Sequence, residues 1–511
     1  MPATTRRIFL GGLAAATAAQ AQVSDAPKRR PNILFALADD WGWPFASIAG
    51  DPVVKTPTFD RLAREGVLFT NAFVTAPSCS PSRVSMLTGQ WHWRLEEGVN
   101  LSGTLAPKFP VYPDLLEAAG YHVGYTRKGW APGNATAGGR TRNPAGPVYS
   151  DFQSFLSKRK ANQPFCFWFG STDPHRKYDP DSGVRSGMRA ESVKVPAFLP
   201  DSDVVRRDLC DYYFEVQRFD REVGELLEKL KEMGELGKTI VVMTADNGCP
   251  FPRAKATLYD SGTHVPLAIS WPGEAPGGRT IEDFVSLSDM APTFLEAAGL
   301  KVPESCTGRS LLPILRSSQA GRVDVKRDFV LTGMERHVPC RGESKAGYPM
   351  RAIRTHDFLY IRNFAPERWP AGDPNGFEKQ GTQPFTFEQM AGNTFHAFAD
   401  VDAGPSKAWL VEHREDAAVA SSYRLAMAKR PAEELYDLAK DPNQLTNVGA
   451  DPKYAAQMKR LRNKLLTELN RTGDLRVSGK GDVFESYPYR QRLTTGSESD
   501  TGSTKPGNAK Q

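Results

Sequence analysis

NILFALADD, residues 32–40, is a nearly continuous apolar run that ends on two aspartates. An apolar run of this length, without polar alternation, is typical of a strand buried on both faces, as strands are in parallel sheets. Similar runs occur as FCFWFG at 165–170 and TIVVMT at 239–244, and a further candidate strand covers 120–126. The chain therefore predicts a sheet that is covered on both faces.

Helical patterns lie between these predicted strands. Pro57 suits the first position of a helix predicted over 56–65, and further helices are predicted over 112–119 and 208–233. Strands that alternate with helices along the chain indicate an α/β fold with helices on both sides of the sheet.

The pattern changes after about residue 327. Short strands are predicted at 329–332, 348–354 and 358–362, and a charged helix at about 452–469. These short strands predict an antiparallel sheet. We therefore predict three units: a large α/β domain over 28–327, a smaller C-terminal α+β domain over 328–490, and a disordered tail over 495–511, where apolar residues are scarce.

The N-terminus has the features of an export signal. Arg6 and Arg7 precede a short, alanine-rich apolar stretch, and Ala19-Gln20-Ala21 offers an A-x-A cleavage site. We predict a twin-arginine-like signal over 1–21 and an exported protein, periplasmic or extracellular. No later segment has the roughly 18 consecutive apolar residues of a spanning helix, so the mature protein is predicted to have no membrane span.

The charge pattern gives no sign of a nucleic-acid partner, and the cysteine spacing gives no sign of a structural zinc site. A net charge of +6 over 511 residues is mild, and it suits a polyanionic substrate or an ordinary, slightly basic surface. No run of Lys and Arg interleaved with aromatic residues indicates nucleic acid, and we predict none as a partner. The six cysteines form no close pair, which disfavours a structural zinc site and leaves disulfide pairing open.

The most specific motif is CSPSRVSMLTG at 79–89. Ser80 suits an N-cap, Pro81 the first helical position and Gly89 the helix end. Cys79 is therefore predicted directly before a short helix, whose N-terminus favours an anion. The motif resembles the signature of the type I sulfatases.

This resemblance implies that a formylglycine-generating maturation enzyme converts Cys79 into Cα-formylglycine. The hydrated aldehyde has two hydroxyls: one attacks sulfur and expels the alcohol or amine, and deprotonation of the second releases the sulfate. The resemblance also implies an alkaline-phosphatase-like fold, in which a mixed, mostly parallel sheet is sandwiched by helices and a smaller C-terminal domain is built on an antiparallel sheet.

Two polar pairs follow predicted strands and are candidate metal ligands. Asp39 and Asp40 follow the first strand, and Asp246 and Asn247 follow the strand at 239–244. Because ligand sites in open α/β sheets lie at the carboxyl ends of strands, these two pairs can converge. Three carboxylates and an amide oxygen suit Ca²⁺, with Mg²⁺ as the alternative. The order of the pairs around Cys79, itself counted as a ligand, matches the family.

The resemblance also assigns four cationic or titratable side chains. Arg83 adds a fixed positive charge in the first helical turn, and Lys128 and Lys255 are implied to bind sulfate oxygens. His175, whose ordinary pKa is near 6.5, is the predicted acid for the leaving group. Together with Cys79, these residues form the predicted catalytic set.

A finer resemblance is to the sulfamidase-like branch, the N-sulfoglucosamine sulfohydrolases and their bacterial relatives. It rests on STDPHR at 171–176, DNGCPFP at 246–252 and YPMR at 348–351. It implies a sulfated saccharide as substrate, with a heparan-type amino sugar as the first expectation. Four residues are predicted to bind substrate at the pocket rim, although an ordinary surface role is equally compatible with the sequence: Glu335, Arg336, His337 and Arg351.

One position departs from the family pattern. Many relatives have a histidine two residues after the lysine that corresponds to Lys128, and this chain has Trp130 there. The sequence therefore does not identify the base that deprotonates the second hydroxyl of the hydrated aldehyde. Because an indole N–H only donates, we predict that Trp130 is a wall of the pocket. His92 and His264 lie near other motifs and are predicted to be incidental.

Three alternatives remain open at this point. The first is an O-sulfatase acting on another sulfated polysaccharide. The second is a phosphomonoesterase or phosphodiesterase of the same superfamily, for which two transition metals would be expected. The third is a non-catalytic glycan-binding protein.

Overall fold

The computed structural model describes residues 30–491 except 343–345, 376 and 378–383. The predicted export signal and the predicted tail lie outside the described residues.

The described residues contain fourteen strands and fourteen α-helices. The strands are β1 (Asn32–Ala38), β2 (Val67–Phe69), β3 (Ala72–Phe73), β4 (His122–Arg127), β5 (Val148–Tyr149), β6 (Phe165–Gly170), β7 (Thr239–Ala245), β8 (Leu267–Ser270), β9 (Arg279–Ile281), β10 (Val285–Ser286), β11 (Phe329–Met334), β12 (Met350–Thr355), β13 (Phe358–Asn363) and β14 (Glu433–Asp437). The α-helices are α1 (Pro57–Glu65), α2 (Cys79–Thr88), α3 (Tyr112–Ala118), α4 (Phe152–Ser157), α5 (Ser182–Arg185), α6 (Asp203–Glu232), α7 (Asp260–Thr263), α8 (Met290–Ala297), α9 (Leu312–Arg316), α10 (Phe387–Gly392), α11 (Pro405–Glu412), α12 (Ala420–Met427), α13 (Ala455–Arg471) and α14 (Val483–Ser486).

Eight strands form one large sheet in the order β5-β4-β6-β1-β7-β8-β2-β9. Neighbours pair in parallel except at β7–β8 and β8–β2, which are antiparallel. The predicted mixed, mostly parallel sheet is therefore confirmed. Of the predicted helices, α6 begins five residues early, at Asp203, because the Ser202 side chain accepts a hydrogen bond from the Val205 N–H and caps it there.

Helices cover both faces of this sheet. Phe35 of β1 packs edge-on against Trp168 of β6 and also contacts Phe294 of α8. The next residue of β6, Phe169, stacks on Phe219 of α6. Because successive strand residues point to opposite faces, α8 and α6 lie on opposite sides of the sheet. This burial explains why the strands are apolar along their whole length.

The pairing register brings four strand ends to one edge. Ala38 pairs with Ala245, so β1 and β7 end side by side. Gly170, the last residue of β6, pairs with both Leu37 and Arg127, so β6 and β4 end at nearly the same level. The loops that leave this edge carry most of the predicted site residues.

The predicted C-terminal antiparallel sheet is also confirmed, with the order β11-β12-β13-β14. One face packs on α13 through Leu461 and Leu465. The other face packs on the segment after Lys255, where Leu258 and Tyr259 contact Met350 and its neighbours. The second sheet therefore supports a loop of the first.

The segment between β13 and β14, residues 364–432, carries α10, α11 and α12. Its described part has an apolar core of its own, which includes Met390, Phe398, Leu410 and Met427. We refer to it as the β13–β14 segment. None of the helices in the described residues has the length and apolar character needed to cross a bilayer.

Candidate active site

Helix α2 presents Cys79 at its first turn. The helix begins at Cys79 itself and its N-cap is Ser78, so the predicted N-cap at Ser80 was wrong by two residues. The physical reason is that the Ser80 hydroxyl accepts a hydrogen bond from the Ser102 N–H instead. Gly89 ends the helix with φ 68°, as predicted. Cys79 is buried, and this burial raises the pKa of its thiol.

Arg83 joins α2 to two strand ends and is fully buried. Its Nε donates to Asp246 Oδ2 at 2.7 Å, and its Nη1 donates to the carbonyls of Lys128 and Gly129 at 2.8 Å each. Its Nη2 lies 3.6 Å from Asp39 Oδ1. Burial alone would lower the pKa of Arg83, but the two carboxylates raise it, so the guanidinium is a permanent charge beside Cys79.

The predicted metal ligands converge as the sheet register requires. Oxygens of Asp39, Asp40 and Asp246 and the Cys79 sulfur all lie within 4.8 Å of one another. Asn247 Nδ2 donates to Asp40 Oδ1 at 2.6 Å, whereas its buried Oδ1 has no hydrogen-bond partner in the described part of the chain. A buried acceptor without a partner, beside three carboxylates, fits a hard cation such as Ca²⁺.

The carboxylates of this cluster differ in their electrostatics. Burial raises the pKa of Asp246 to about 6. Burial also opposes the ionisation of Asp39, but Lys128 and the other cations outweigh it and hold its pKa well below the usual range. Of these two carboxylates, Asp246 is therefore the one whose ionisation a nearby cation would favour more.

The two predicted sulfate-binding lysines reach this cluster from different loops. Lys128 Nζ lies 2.5 Å from Asp39 Oδ2. Lys255 Nζ lies 2.8 Å from Asp40 Oδ2 and 2.9 Å from Asp402 Oδ2. Burial lowers the pKa of each lysine, but these carboxylates raise it by more, so both ammonium groups stay charged.

His175 lies on the more exposed side of the cluster. Its Nε2 lies 3.8 Å from Asp40 Oδ2, and its Nδ1 lies 2.6 Å from the Arg176 carbonyl. Because a carbonyl only accepts, Nδ1 must carry a hydrogen, and Nε2 is the nitrogen that can exchange a proton. The structure thus brings His175 together with the rest of the predicted catalytic set.

Of the four predicted rim residues, His337 lies beside α2, whereas the other three bind protein groups away from it. His337 is buried beside α2, where its Nδ1 bonds to Ser78 Oγ at 2.8 Å. Arg336 donates instead to backbone carbonyls of the C-terminal segment, at Tyr487 and Glu485. This placement ties Arg336 to the protein and favours a structural role over the predicted substrate contact.

Glu335 and Arg351 form a buried ion pair at 2.7 Å. Asp474 also pairs with Arg351, and Arg476 pairs with Glu335. Protein partners therefore neutralise both charges. This network favours a structural role for Glu335 and Arg351 over the predicted place at the pocket rim.

Trp130, His92 and His264 contact other protein groups, as structural residues do. Trp130 is buried, and its Nε1 donates to the Ser80 carbonyl at 3.2 Å, which fixes the first turn of α2. His264 bonds to the Thr70 carbonyl and stacks on Phe73, and burial lowers its pKa to about 4. His92 is buried beside Trp93, and burial likewise lowers its pKa.

Asp402 is the site residue that sequence reasoning missed. It comes from the β13–β14 segment and approaches Lys255, and its carboxylate lies within 4.8 Å of His175 and Asp40 ligand atoms. Nothing in the sequence FHAFADVDAG, residues 395–404, marks it, because an acidic loop residue is usually just solvated.

Comparison with known proteins gives two family matches. Residues 31–300 match the family model described as sulfatase, and residues 253–363 match the model described as the C-terminal region of N-sulphoglucosamine sulphohydrolase. The human N-sulphoglucosamine sulphohydrolase is 29% identical, over 90% of this chain and 94% of its own. An ulvan-active sulfatase of Formosa agariphila is 24% identical, over 87% and 76%.

Solved structures with the same fold are more distant in sequence. A protein in complex with its substrate D-glucosamine-2-N,6-O-disulfate has a TM-score of 0.59 at 19% identity, covering 87% of this chain and 98% of its own. The phosphonate monoester hydrolase of Silicibacter pomeroyi has a TM-score of 0.62 at 18% identity, covering 88% and 97%. Identities this low describe a shared fold and not a shared substrate.

Proposed function

Because this chain belongs to the sulfatase family, we propose that it removes the N-sulfo group from a heparan-type amino sugar, using a formylglycine made from Cys79 and a calcium-type metal site. The observation that carries this proposal is the position of Cys79. Its sulfur lies 3.5 Å from Asp39 Oδ1, at the first turn of α2, among three carboxylates and three permanent cations.

The charges around Cys79 favour a divalent cation. Four carboxylates face three Lys or Arg side chains, so these groups carry one net negative charge: Asp39, Asp40, Asp246 and Asp402 against Arg83, Lys128 and Lys255. An anionic sulfate group would be repelled by such a site. A bound Ca²⁺ would reverse the sign of the net charge and polarise the sulfate oxygens.

The metal ligands we propose are Asp39, Asp40, Asp246 and Asn247, with the oxygens of the modified Cys79 completing the set. Mg²⁺ is the alternative ion. Carboxylate and amide oxygens that converge from two strand ends are held by the sheet itself, which keeps them together before the ion binds.

The protein's own side chains then have separate tasks. We assign Lys128 and Lys255 to the sulfate oxygens, because both ammonium groups are fixed by carboxylates at the cluster. Arg83 holds Asp246 and Asp39 in place and keeps the first turn of α2 against the strand ends. His175 supplies the proton for the departing nitrogen through Nε2.

The amino-sugar assignment rests on the relatives. The match of 253–363 to the sulphohydrolase C-terminal model includes Lys255 and reaches the end of β13. The resemblance to the human N-sulphoglucosamine sulphohydrolase extends over nearly the whole chain. An O-sulfatase acting on another polysaccharide is the second candidate, favoured by the likeness to ulvan-active sulfatases.

A two-metal phosphatase is disfavoured by the position of Lys255. Asp40, His175 and Asp402 offer the ligand types of a second metal site. The Lys255 ammonium, however, lies within 2.9 Å of both carboxylates and takes the place that a second cation would need. Metal analysis of the purified enzyme should therefore give one calcium or magnesium ion per chain, and two zinc or manganese ions would contradict the proposal.

A substrate panel tests the proposal itself. Protein made together with a maturation enzyme should be given N-sulfoglucosamine, 6-O-sulfated glucosamine, and sulfated galactose and fucose, with released sulfate measured. We expect sulfate from N-sulfoglucosamine. Release from galactose or fucose sulfates, with both glucosamines untouched, would replace the amino-sugar assignment with the O-sulfatase alternative.

A further inference from the structure

Asp402 is brought to the site by a loop that is fixed on two sides. Asp400 accepts a hydrogen bond from the Val338 N–H at 2.9 Å and pairs with Arg341, which ties the loop to the segment that carries His337. Lys407 Nζ is buried and donates to the carbonyls of Val401 and Thr394. The loop is therefore held in shape before substrate arrives.

The same loop is also tied to the segment that carries His175. The Ser406 N–H donates to Asp208 Oδ2 at 3.1 Å, and Asp208 pairs with Arg176 at 2.7 Å. Arg176 is the next residue after His175. A short series of direct contacts thus links the loop of Asp402 to the segment of His175.

The exposure of the side chains shows where the pocket opens. Asp40 is 0% exposed and Lys255 4%, whereas Asp402 is 15% and His175 28% exposed. Lys128 is 14% exposed, so His175 is the most exposed of these groups. We place the leaving atom of a sulfate group bound at the metal cluster on the side of His175, and Asp402 lies within 4.8 Å of this histidine.

One carboxylate oxygen of Asp402 can bind a molecule in the pocket. Its Oδ2 is taken by Lys255, and its Oδ1 makes no hydrogen bond within the described part of the chain. Because the group is partly exposed, this oxygen can accept a hydrogen bond from a molecule in the pocket. The nearby cations, Lys255 first among them, outweigh burial and keep the pKa of Asp402 low, so the group is a carboxylate.

We propose that Asp402 is a specificity-determining residue that selects a leaving nitrogen over a leaving oxygen. The proposal rests on the N-sulfo function proposed above. In that hydrolysis the S–N bond breaks and its electron pair goes to nitrogen, while water supplies the oxygen that sulfate gains. The nitrogen keeps its own hydrogen and takes up the two hydrogens of the water as protons, so it leaves as an ammonium group.

The Asp402 carboxylate stabilises a leaving ammonium group but repels a leaving oxygen. The nitrogen has an N–H to donate throughout the reaction, and it gains positive charge as it is protonated, so the carboxylate stabilises it more and more. The oxygen of an O-sulfate gains negative charge as its bond to sulfur breaks, and the same carboxylate repels it. Asp402 therefore favours N-sulfo groups at the step that breaks the bond.

The test compares binding of the two products. The affinity for inorganic sulfate depends on the metal site, Lys128 and Lys255. The affinity for glucosamine depends on the residues around the leaving group. Titration calorimetry at about pH 6, where the amine is protonated, should give the Kd of each for the wild-type enzyme and for Asp402→Asn. We expect Asp402→Asn to weaken glucosamine binding about 10- to 100-fold, the value of a hydrogen bond to a charged group. Sulfate binding should not weaken, because the substitution removes a negative charge beside Lys255.

Two further variants make the result decisive. Asp402→Glu keeps the charge and should retain most of the glucosamine affinity. Glu415→Gln, whose side chain is 87% exposed in the same segment, removes an equal charge away from the site and should change neither Kd. Equal weakening of both products in Asp402→Asn would mean that Asp402 acts only through Lys255, and unchanged glucosamine binding would exclude contact; either result overturns the inference.

Failure of this inference is separable from failure of the proposed function. The product titrations need no turnover, so they give an answer for Asp402 even if N-sulfoglucosamine is not hydrolysed. Conversely, hydrolysis of N-sulfoglucosamine by the wild-type enzyme, with kcat/KM unchanged in Asp402→Asn, would keep the function and reject the role of Asp402.

Discussion

Replacement of Arg83 by methionine removes the charge that holds the carboxylate cluster together, while it keeps much of the side-chain volume. The guanidinium pairs with Asp246 at 2.7 Å and lies 3.6 Å from Asp39, and all three groups are buried. It also donates to two backbone carbonyls. In Arg83→Met, the two carboxylates and the two carbonyls lose this partner together.

The expected loss of stability is large because these contacts are buried. Removing one partner of a buried ion pair costs about 3–5 kcal/mol. A buried carbonyl left without its donor adds about 1–3 kcal/mol. The free energy of unfolding of Arg83→Met, measured in chelator, should therefore fall by at least about 4 kcal/mol.

Calcium should restore part of this loss. The ion supplies positive charge to the same carboxylates, and a ligand present at a hundred times its Kd stabilises the folded state by about 2.7 kcal/mol. Urea unfolding can be followed by tryptophan fluorescence, since Trp168 Nε1 donates to the same Lys128 carbonyl as Arg83. The midpoint of Arg83→Met should rise when calcium replaces the chelator.

The matched control is Arg61→Met. Arg61 also pairs with one carboxylate, Glu228, at 3.2 Å, but both side chains are about half exposed. Such a surface pair contributes about 0–1 kcal/mol. If Arg83→Met lost no more stability than Arg61→Met, or if calcium left its midpoint unchanged, the electrostatic account of the cluster would be refuted.

Three further predictions concern the same site. Mass spectrometry of the peptide spanning Cys79, after production with a maturation enzyme, should show the aldehyde or its hydrate; a thiol alone would count against the modification. Calcium affinity should fall below about pH 6, by up to tenfold per pH unit, because the ion must displace the proton that Asp246 takes up through its raised pKa; a constant Kd between pH 7 and pH 5 in titration calorimetry would contradict this. Trp130→Phe should lose about 1–3 kcal/mol of stability, since the Ser80 carbonyl loses its indole donor, but it should keep far more turnover than Lys128→Ala; equal losses in kcat would give Trp130 a chemical role.

The large sheet was predictable because its strands are apolar on both faces. β1 and β6 begin and end where the sequence predicts. The rule that strand ends meet at one edge also anticipated that the two polar pairs would converge. β14 was not among the predicted strands, and it begins with two acidic residues, Glu433 and Glu434. In the structure Glu434 is buried and accepts hydrogen bonds from Tyr259 and Tyr436.

The surroundings of three residues depend on distant partners that the sequence did not indicate. Glu335 and Arg351 have the chemistry of a sugar-binding rim, but their partners Asp474 and Arg476 lie more than 120 residues further along the chain. Asp402 reaches the site only because the β13–β14 segment folds back over it. Pairings of this kind leave no local pattern, and a single sequence cannot reveal them.

The most direct measurement is the release of products from N-sulfoglucosamine. Protein produced with a formylglycine-generating enzyme should be compared with Cys79→Ala, made in the same way, in the presence of calcium. We predict equal amounts of sulfate and glucosamine from the former and neither from the latter. Equal release by Cys79→Ala, or no release by the matured protein from any sulfated sugar, would contradict the account.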